Sequence, residues 1–374
     1  MLEELTRRLS RSNHLTEDQV RFAVDQLVEE SVPADVKADF LCHLALKGET
    51  VGEIAAFARA LRARSIEPPL DAQTRAREIL DVCGTGGDRL NTFNISTTVA
   101  LVCAAAGVAV AKHGNHAITS QAGSADVLEA LGVRIDLSPA EAADSLREHH
   151  FAFFFAPKYH PAFKALAPAR KLCAARGQRT IFNFLGPLLN PARPSAQLIG
   201  VPRPELCEPM ARVVQSLGVR RGMVVSGAVS SPESKVQSPK SGAQSSKPDN
   251  SRPIAMDDGR AYLDELSTLG ENTIAEFYQE RGFITSAMAP TQFPLQTTTL
   301  ADLAGGDRQA NAEIVRRLLR GEDRGPKRDA VLLNAAAALF VAGRSRTMVE
   351  GWELAASVID SGEALGKLKE LSHS

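Results

Sequence analysis

The 374-residue sequence predicts an α/β fold: a small N-terminal helical domain, then a larger α/β domain with a mainly parallel central sheet. Three observations carry this. Residues 1–66 show only helical periodicity and stop at Glu67-Pro68-Pro69. From residue 79 onward, short apolar runs alternate with helical segments, the pattern of strands paired through crossover helices. Two of those runs open into glycine-containing turns, both turns within residues 81–132, that lead to helices.

Thr16 with Gln19 forms a capping box ahead of Val20, Val24, Leu27 and Val28, which share one helical face. Leu41, Leu44 and Leu46 extend the pattern to Gly48, and Thr50 with Glu53 opens a further helix carrying Ile54, Phe57 and Leu61. Short amphipathic helices need a partner for their apolar faces, either the rest of the chain or a second subunit. Beyond the linker, Ile79, Leu80 and Val82 read as a buried strand, 108–111 as a second and 133–135 as a third. Ser96 or Thr97 is placed to cap one helix, and Ser124 to cap another that Gly132 closes. Ser138-Pro139 with Glu141 opens a helix by a capping box with proline in its first turn. Residues 151–155 (FAFFF) suit a central strand and 158–176 look helical. Residues 197–201 and 223–225 are further strands, separated by a helix over 204–217 that ends at Gly218. Residues 229–253, rich in Ser, Pro and Lys, cannot bury enough apolar surface to offset ordering entropy and read as a disordered insertion. The expected domains are thus 1–66, and 72–374 interrupted at 229–253.

Composition excludes several classes. A formal charge of −1 provides no overall basic field for nucleic acid or a membrane surface. The five cysteines are scattered without a C-x-x-C pair, as reduced thiols of a cytoplasmic protein are. MLEELTRRLS has no apolar signal core, and no run approaches the roughly 18 apolar residues of a membrane span.

The glycine turns carry the chemistry. Gly84, Gly86 and Gly87 allow positive φ and close approach to a ligand, and a helix N-terminus beside such a turn presents N–H groups to phosphate. Neither common phosphate motif is present. No Gly-Lys-Ser/Thr follows the turn, and Arg89 stands where a dinucleotide fingerprint needs its third glycine. Polar residues nevertheless crowd the strand ends, where open α/β sheets bind ligands: Asp88, Asn94, Ser96, Thr97, Lys112, Asn115 and Ser120.

In order and spacing, GTGGD, N-x-S-T-T, KHGN and GSADVLEALG, then KYHPAFK, RTIFNFLGPLLNP, LDELS and NAAAALFVAG, resemble the anthranilate phosphoribosyltransferase family of tryptophan biosynthesis. The resemblance runs nearly end to end. It implies transfer of the phosphoribosyl group of phosphoribosyl pyrophosphate (PRPP) to the amine of anthranilate, with Mg²⁺, two ions, on the leaving pyrophosphate. It implies that Gly84, Gly87, Asp88, Thr92, Asn94, Ile95, Ser96 and Thr97 bind PRPP, together with Lys112, His113, Gly114, Asn115, His116, Ala117, Ile118, Thr119, Ser120 and Ser124. Anthranilate falls to Gly84, Asn115 and Arg170, and metal to Ser96, Asp264 and Glu265. His113 and His160 lie near the acceptor, where either can assist proton removal, although an aromatic amine needs no dedicated base. The resemblance also implies that residues 158–180 return to the helical domain and that this domain forms much of a homodimer interface.

The chain departs from the family at His116 (usually arginine), Gln121 (usually lysine) and Ser226 (usually histidine). The first two remove positive charge from the phosphate side. Two other functions fit the same architecture: a pyrimidine nucleoside phosphorylase-like enzyme, which has little use for Asp264-Glu265, and a non-catalytic nucleic-acid-binding relative, against which the charge balance argues.

Overall fold

The computed structural model describes residues 2–117, 121–229, 261–279 and 281–373. Its first four helices are α1 (Leu2–Leu9), α2 (Glu17–Val28), α3 (Ala34–Lys47) and α4 (Val51–Arg62). Both capping boxes form: Thr16 with Gln19 starts α2 and Thr50 with Glu53 starts α4. Glu53 is buried and also accepts the Leu15 N–H at 2.9 Å and the Lys47 ammonium at 2.8 Å, so one carboxylate ties three segments together.

After α5 (Ala72–Ala76) the chain alternates: β1 (Ile79–Gly84), α6 (Ile95–Ala105), β2 (Ala109–Gly114), α7 (Ser124–Ala130), α8 (Pro139–His149), β3 (Phe151–Phe155). Next come α9 (Ala156–Tyr159), a 3₁₀ turn (Pro161–Leu166), α10 (Ala167–Ala175), α11 (Phe182–Leu185), β4 (Ala196–Gly200), α12 (Cys207–Ser216) and β5 (Arg221–Val229). Three short strands follow, β6 (Ala261–Leu263), β7 (Asn272–Tyr278) and β8 (Arg281–Met288), then α13 (Arg308–Leu319), α14 (Pro326–Val341), α15 (Met348–Asp360) and α16 (Glu363–His373). The sheet runs β3-β2-β1-β4-β5-β7-β8, with β6 also on β5. Pairing is parallel from β3 through β5 and antiparallel for β6, β7 and β8.

One apolar cluster covers a sheet face with α6 and α14. A second joins α1–α4, α10 and α12 to the opposite face at Ile199, Val224, Ala275 and Phe277. The helical segment therefore hides most of its apolar residues against the rest of the chain, Phe22 and Leu46 excepted. Each Leu or Phe so buried contributes roughly 1.5–3 kcal/mol.

Several local expectations change. Residues 133–135 form no strand, although Val133 and Ile135 are buried: alternating apolar residues found a core without a pairing partner. FAFFF is an edge strand rather than a central one, apolar throughout because α8 and α9 pack against it. The cap of α6 is Asn94, without a side-chain cap bond, because Ser96 is occupied elsewhere. Ser124 is the first residue of α7, and Asp126 caps Gly123 in its place, with its carboxylate accepting the Gly123 N–H at 2.8 Å. Of the 229–253 insertion, Val229 closes β5 and the remainder lies outside the described residues.

Candidate active site

Gly84 ends β1 where a Cβ would come within 2.3 Å of Asp264 Oδ2, so close approach rather than dihedral freedom selects glycine there. Gly86 and Gly87 continue at φ 74° and 103°, which glycine alone adopts at low cost. The turn so formed aims the Gly86 N–H at Asp264 Oδ2, 2.7 Å away, while Asp88 hydrogen-bonds the same carboxyl. Glu265 accepts the backbone N–H of Ser96 at the first turn of α6. Three carboxyl groups thus gather at one turn and one helix start.

Burial, reinforced by Asp88 and Glu265, raises the Asp264 carboxyl well above the usual range. Glu265, itself buried, is pushed up to about 8 by burial, against the opposing charge of Lys112. Acids packed together out of water, with the Lys112 ammonium beside only one of them, are what a divalent ion relieves. The donors are all oxygens, with the Ser96 hydroxyl beside them, and this chemistry fits Mg²⁺.

Lys112 on β2 is buried, and its ammonium donates to Val82 O at 2.8 Å and Ser96 Oγ at 3.3 Å. Burial lowers its pKa, opposed by the charges of Asp81 and Glu265, between which it lies beneath the turn. Asp81 is fully buried, and burial lifts its carboxyl to about 6, opposed by the Asn190 amide, which donates to Asp81 Oδ2 at 2.9 Å and Ala111 O at 2.7 Å. Sequence reading missed both residues. The signal for Asp81 was a lone acid inside the apolar run Ile79-Leu80-Asp81-Val82.

The family-implied donors at the start of α6 are only partly open. Ile95 is buried, and its N–H donates to Phe93 O at 2.7 Å in the tight turn into the helix. The Ser96 N–H is taken by Glu265. Thr97 Oγ1 is buried without a hydrogen-bond partner. Thr92 pairs with Ala304 in an isolated bridge, and Asn94 Nδ2 donates to Ala122 O at 3.3 Å. Gly114 ends β2 with Ser124 Oγ 2.2 Å from where a Cβ would sit, which places Ser124 against this second turn. Asn115 and Ala117 carry the loop onward, and Ile118, Thr119 and Ser120 lie outside the described residues.

His116 is held by its neighbours. Its Nδ1 lies 2.7 Å from Asp126 Oδ1, and its ring meets Phe155 edge-on. His116, Asp126 and Glu129 are, among the described residues, the one tight cluster of three His, Cys or carboxylate groups. Asp126 there already holds the loop through the N–H groups of Ala117 and Gly123. Ser226 is buried on β5, its hydroxyl without a partner.

The acceptor candidates form a wall. His113 Nε2 and His160 Nε2 are 3.2 Å apart, His160 stacks on Phe163, Phe163 meets Phe182 edge-on, and the Arg170 guanidinium lies 5.3 Å above Phe182. Burial lowers the Arg170 pKa, and among the described residues no carboxylate pairs with it. Phe163 and Phe182 were not foreseen; their motifs, KYHPAFK and RTIFNFLGPLLNP, were noted only as family signatures.

The histidine pair has a pH signature. Burial, then the neighbouring His160, depresses His113 to about 3, and burial depresses His160 to about 4. Groups depressed below the ordinary 6.5 contribute stability above that pH, and the contribution is lost as pH falls toward the folded values. Denaturant unfolding of wild type should therefore weaken between pH 6.5 and 4, and His160→Asn should weaken less over that window. An equal fall in both proteins would remove the pair as its source.

Comparison with known proteins is consistent across methods. Residues 76–242 and 250–365 match the glycosyl transferase family, a/b domain, and residues 3–65 match its helical bundle domain. Anthranilate phosphoribosyltransferase of Symbiobacterium thermophilum is 43% identical over 381 residues, spanning 100% of this chain and 98% of that protein. That of Alkaliphilus metalliredigens is 41% identical, spanning 99% and 97%. The crystal structure of the Thermus thermophilus enzyme superimposes with a TM-score of 0.81 at 37% identity, covering 99% of this chain and 98% of that one. The Saccharomyces cerevisiae enzyme in complex with PRPP and Mg gives 0.79 at 25% identity, covering 100% and 97%. The chain belongs to the anthranilate phosphoribosyltransferase family.

Proposed function

We propose that the two glycine turns and the carboxyl cluster form the site of the transfer that this family carries out, from PRPP to the amine of anthranilate. The observation that carries the assignment is the meeting of Asp88, Asp264 and Glu265 at the GTGGD turn. Ser96, Asp264 and Glu265 would hold Mg²⁺, two ions, with Asp88 placed for a metal-bound water. When bound, Mg²⁺ neutralises charge on the departing pyrophosphate.

The chain's own groups do the rest. Gly84, Gly87, Thr92, Asn94, Thr97 and Ser124 position PRPP with the 112–120 loop. Lys112 holds Ser96 and balances the buried acids from below. The Phe163–Phe182 wall offers flat apolar surface to an aryl ring, Arg170 takes the acceptor's carboxylate, and Asn115, with Gly84 beside it, fixes the amine. That orientation aims the amine at the sugar C1, which is where catalysis by positioning acts. Among the described residues, no helix is long and apolar enough to cross a membrane. We assign the enzyme to the cytoplasm, with no nucleic-acid partner.

Arg170→Ala should raise KM for anthranilate about ten- to a hundredfold, the loss of a charge-assisted pair worth roughly 1.5–3 kcal/mol, and leave KM for PRPP nearly unchanged. Equal losses for both substrates would make Arg170 structural.

Residues 1–66, joined by about 158–180, are assigned to one domain and the rest of 72–374 to the other. Phe22, Leu46 and Leu172 remain exposed on α2, α3 and α10, and they support a homodimer through the helical part. Sedimentation at micromolar concentration should show a dimer; a monomer throughout would refute it.

A further inference from the structure

The loop after β2, residues 115–123, carries no lysine or arginine, and cations approach the first glycine turn from a different direction. Arg179, in the segment between α10 and α11, brings Nη2 to 3.5 Å from where a Cβ of Gly87 would sit. Arg89, two residues beyond Gly87, occupies the left-handed region at φ 58°, a conformation uncommon for a long side chain. Arg203 follows the end of β4, and β4 is fastened to the same turn by the Thr85 N–H donating to Gly200 O at 2.9 Å. Arg203 has a carboxylate neighbour, Glu205, 3.3 Å from its Nε. Among the described residues, neither Arg89 nor Arg179 has one.

We propose that Arg179, with Arg89 and Arg203 flanking it, is a binding residue for the diphosphate of PRPP. Uncompensated guanidinium groups at one turn are costly unless a polyanion visits them. Burial lowers the Arg179 pKa, and the charges of Arg89 and Arg203 lower it further, so both lie within electrostatic reach of Arg179. Their position selects the diphosphate over the other anionic groups of the substrates. The same turn carries Asp88 beside Asp264, so a leaving group held on the metal side by carboxylates meets arginines at its other oxygens. Forked guanidinium donors suit phosphate oxygens.

The inference rests on the function proposed above, and the two can fail separately. The experiment compares wild type with Arg179→Gln, Arg179→Lys and Arg89→Gln. Both Michaelis constants are measured, inorganic pyrophosphate binding with Mg²⁺ is followed by calorimetry, and Tm is recorded without ligands. Arg179→Gln is expected to raise KM for PRPP about ten- to a hundredfold and to weaken pyrophosphate binding by a similar factor. KM for anthranilate should stay within about twofold and Tm should not fall, since a repelling charge has been removed. Arg179→Lys should recover part of the loss, and the more exposed Arg89→Gln should show a smaller one. Unchanged PRPP and pyrophosphate affinities in Arg179→Gln overturn the inference. So does a rise in KM confined to anthranilate, which would move Arg179 to the acceptor wall. A wild-type protein that neither binds pyrophosphate nor releases it from PRPP overturns the underlying assignment as well.

Discussion

Excess EDTA should abolish turnover and Mg²⁺ should restore it. Glu265→Gln should lower kcat by about two to three decades, and Asp264→Asn by less. The magnitude follows from the leaving group: removing a preorganised electrostatic stabiliser from a transition state typically costs about 10²–10³ in kcat. Glu265 is the more damaging loss because it is the more integrated residue, bonded to the Ser96 N–H and lying within the field of Lys112. Asp264 faces the turn, where Asp88 and the Gly86 N–H remain after the substitution. Folding should respond in the opposite direction. A carboxyl pair on a solvated loop would leave Tm unchanged, but Glu265 is buried and both acids are held above their ordinary pKa. Each amide variant should therefore melt higher than wild type in EDTA and gain less from Mg²⁺. Turnover and Tm against Mg²⁺ concentration read both effects. Full activity in excess EDTA would remove the metal from the account.

Gly200→Ala should cost at least two decades in kcat without touching any group that meets a substrate. A Cβ at Gly200 would lie 1.5 Å from the main-chain oxygen of Asp264, an overlap that a rotamer change cannot relieve because the obstacle is backbone. The 264–265 segment must move by more than about 1 Å, and displacements of that size at a reacting site cost about a hundredfold. Overpacking of this kind also costs roughly 1–3 kcal/mol of stability. The check is kcat beside denaturant unfolding. A folded variant with wild-type kcat would show that the metal-side carboxylates do not depend on this close contact.

Much of this arrangement was legible in the chain because its signals are local. Capping boxes at Thr16, Thr50 and Ser138 start their helices by hydrogen bonds that span only three residues. The glycine turns were legible for a related reason, since they stand between an apolar run and a helix. Long-range facts were harder to read. Nothing local distinguishes the edge strand FAFFF from a central one, because burial on both faces yields the same apolar run. Residues 133–135 have the alternation of a strand without a partner to pair with. Asp264 and Glu265 were found by family resemblance alone, since an adjacent acid pair carries no local sign of burial before the fold brings Gly84 and Gly200 against it. The aromatic wall draws Phe163 and Phe182 from segments that contact one another only in the folded chain.

The central claim is that the carboxyl-lined turn and the arginine-topped aromatic wall serve one reaction. The most direct measurement follows pyrophosphate release from PRPP with Mg²⁺ while anthranilate fluorescence is monitored in the same cuvette. The account requires release that depends on anthranilate, matches its consumption mole for mole and stops on addition of EDTA. Pyrophosphate release indifferent to anthranilate, or no release accompanied by phosphorolysis of a pyrimidine nucleoside, would contradict it.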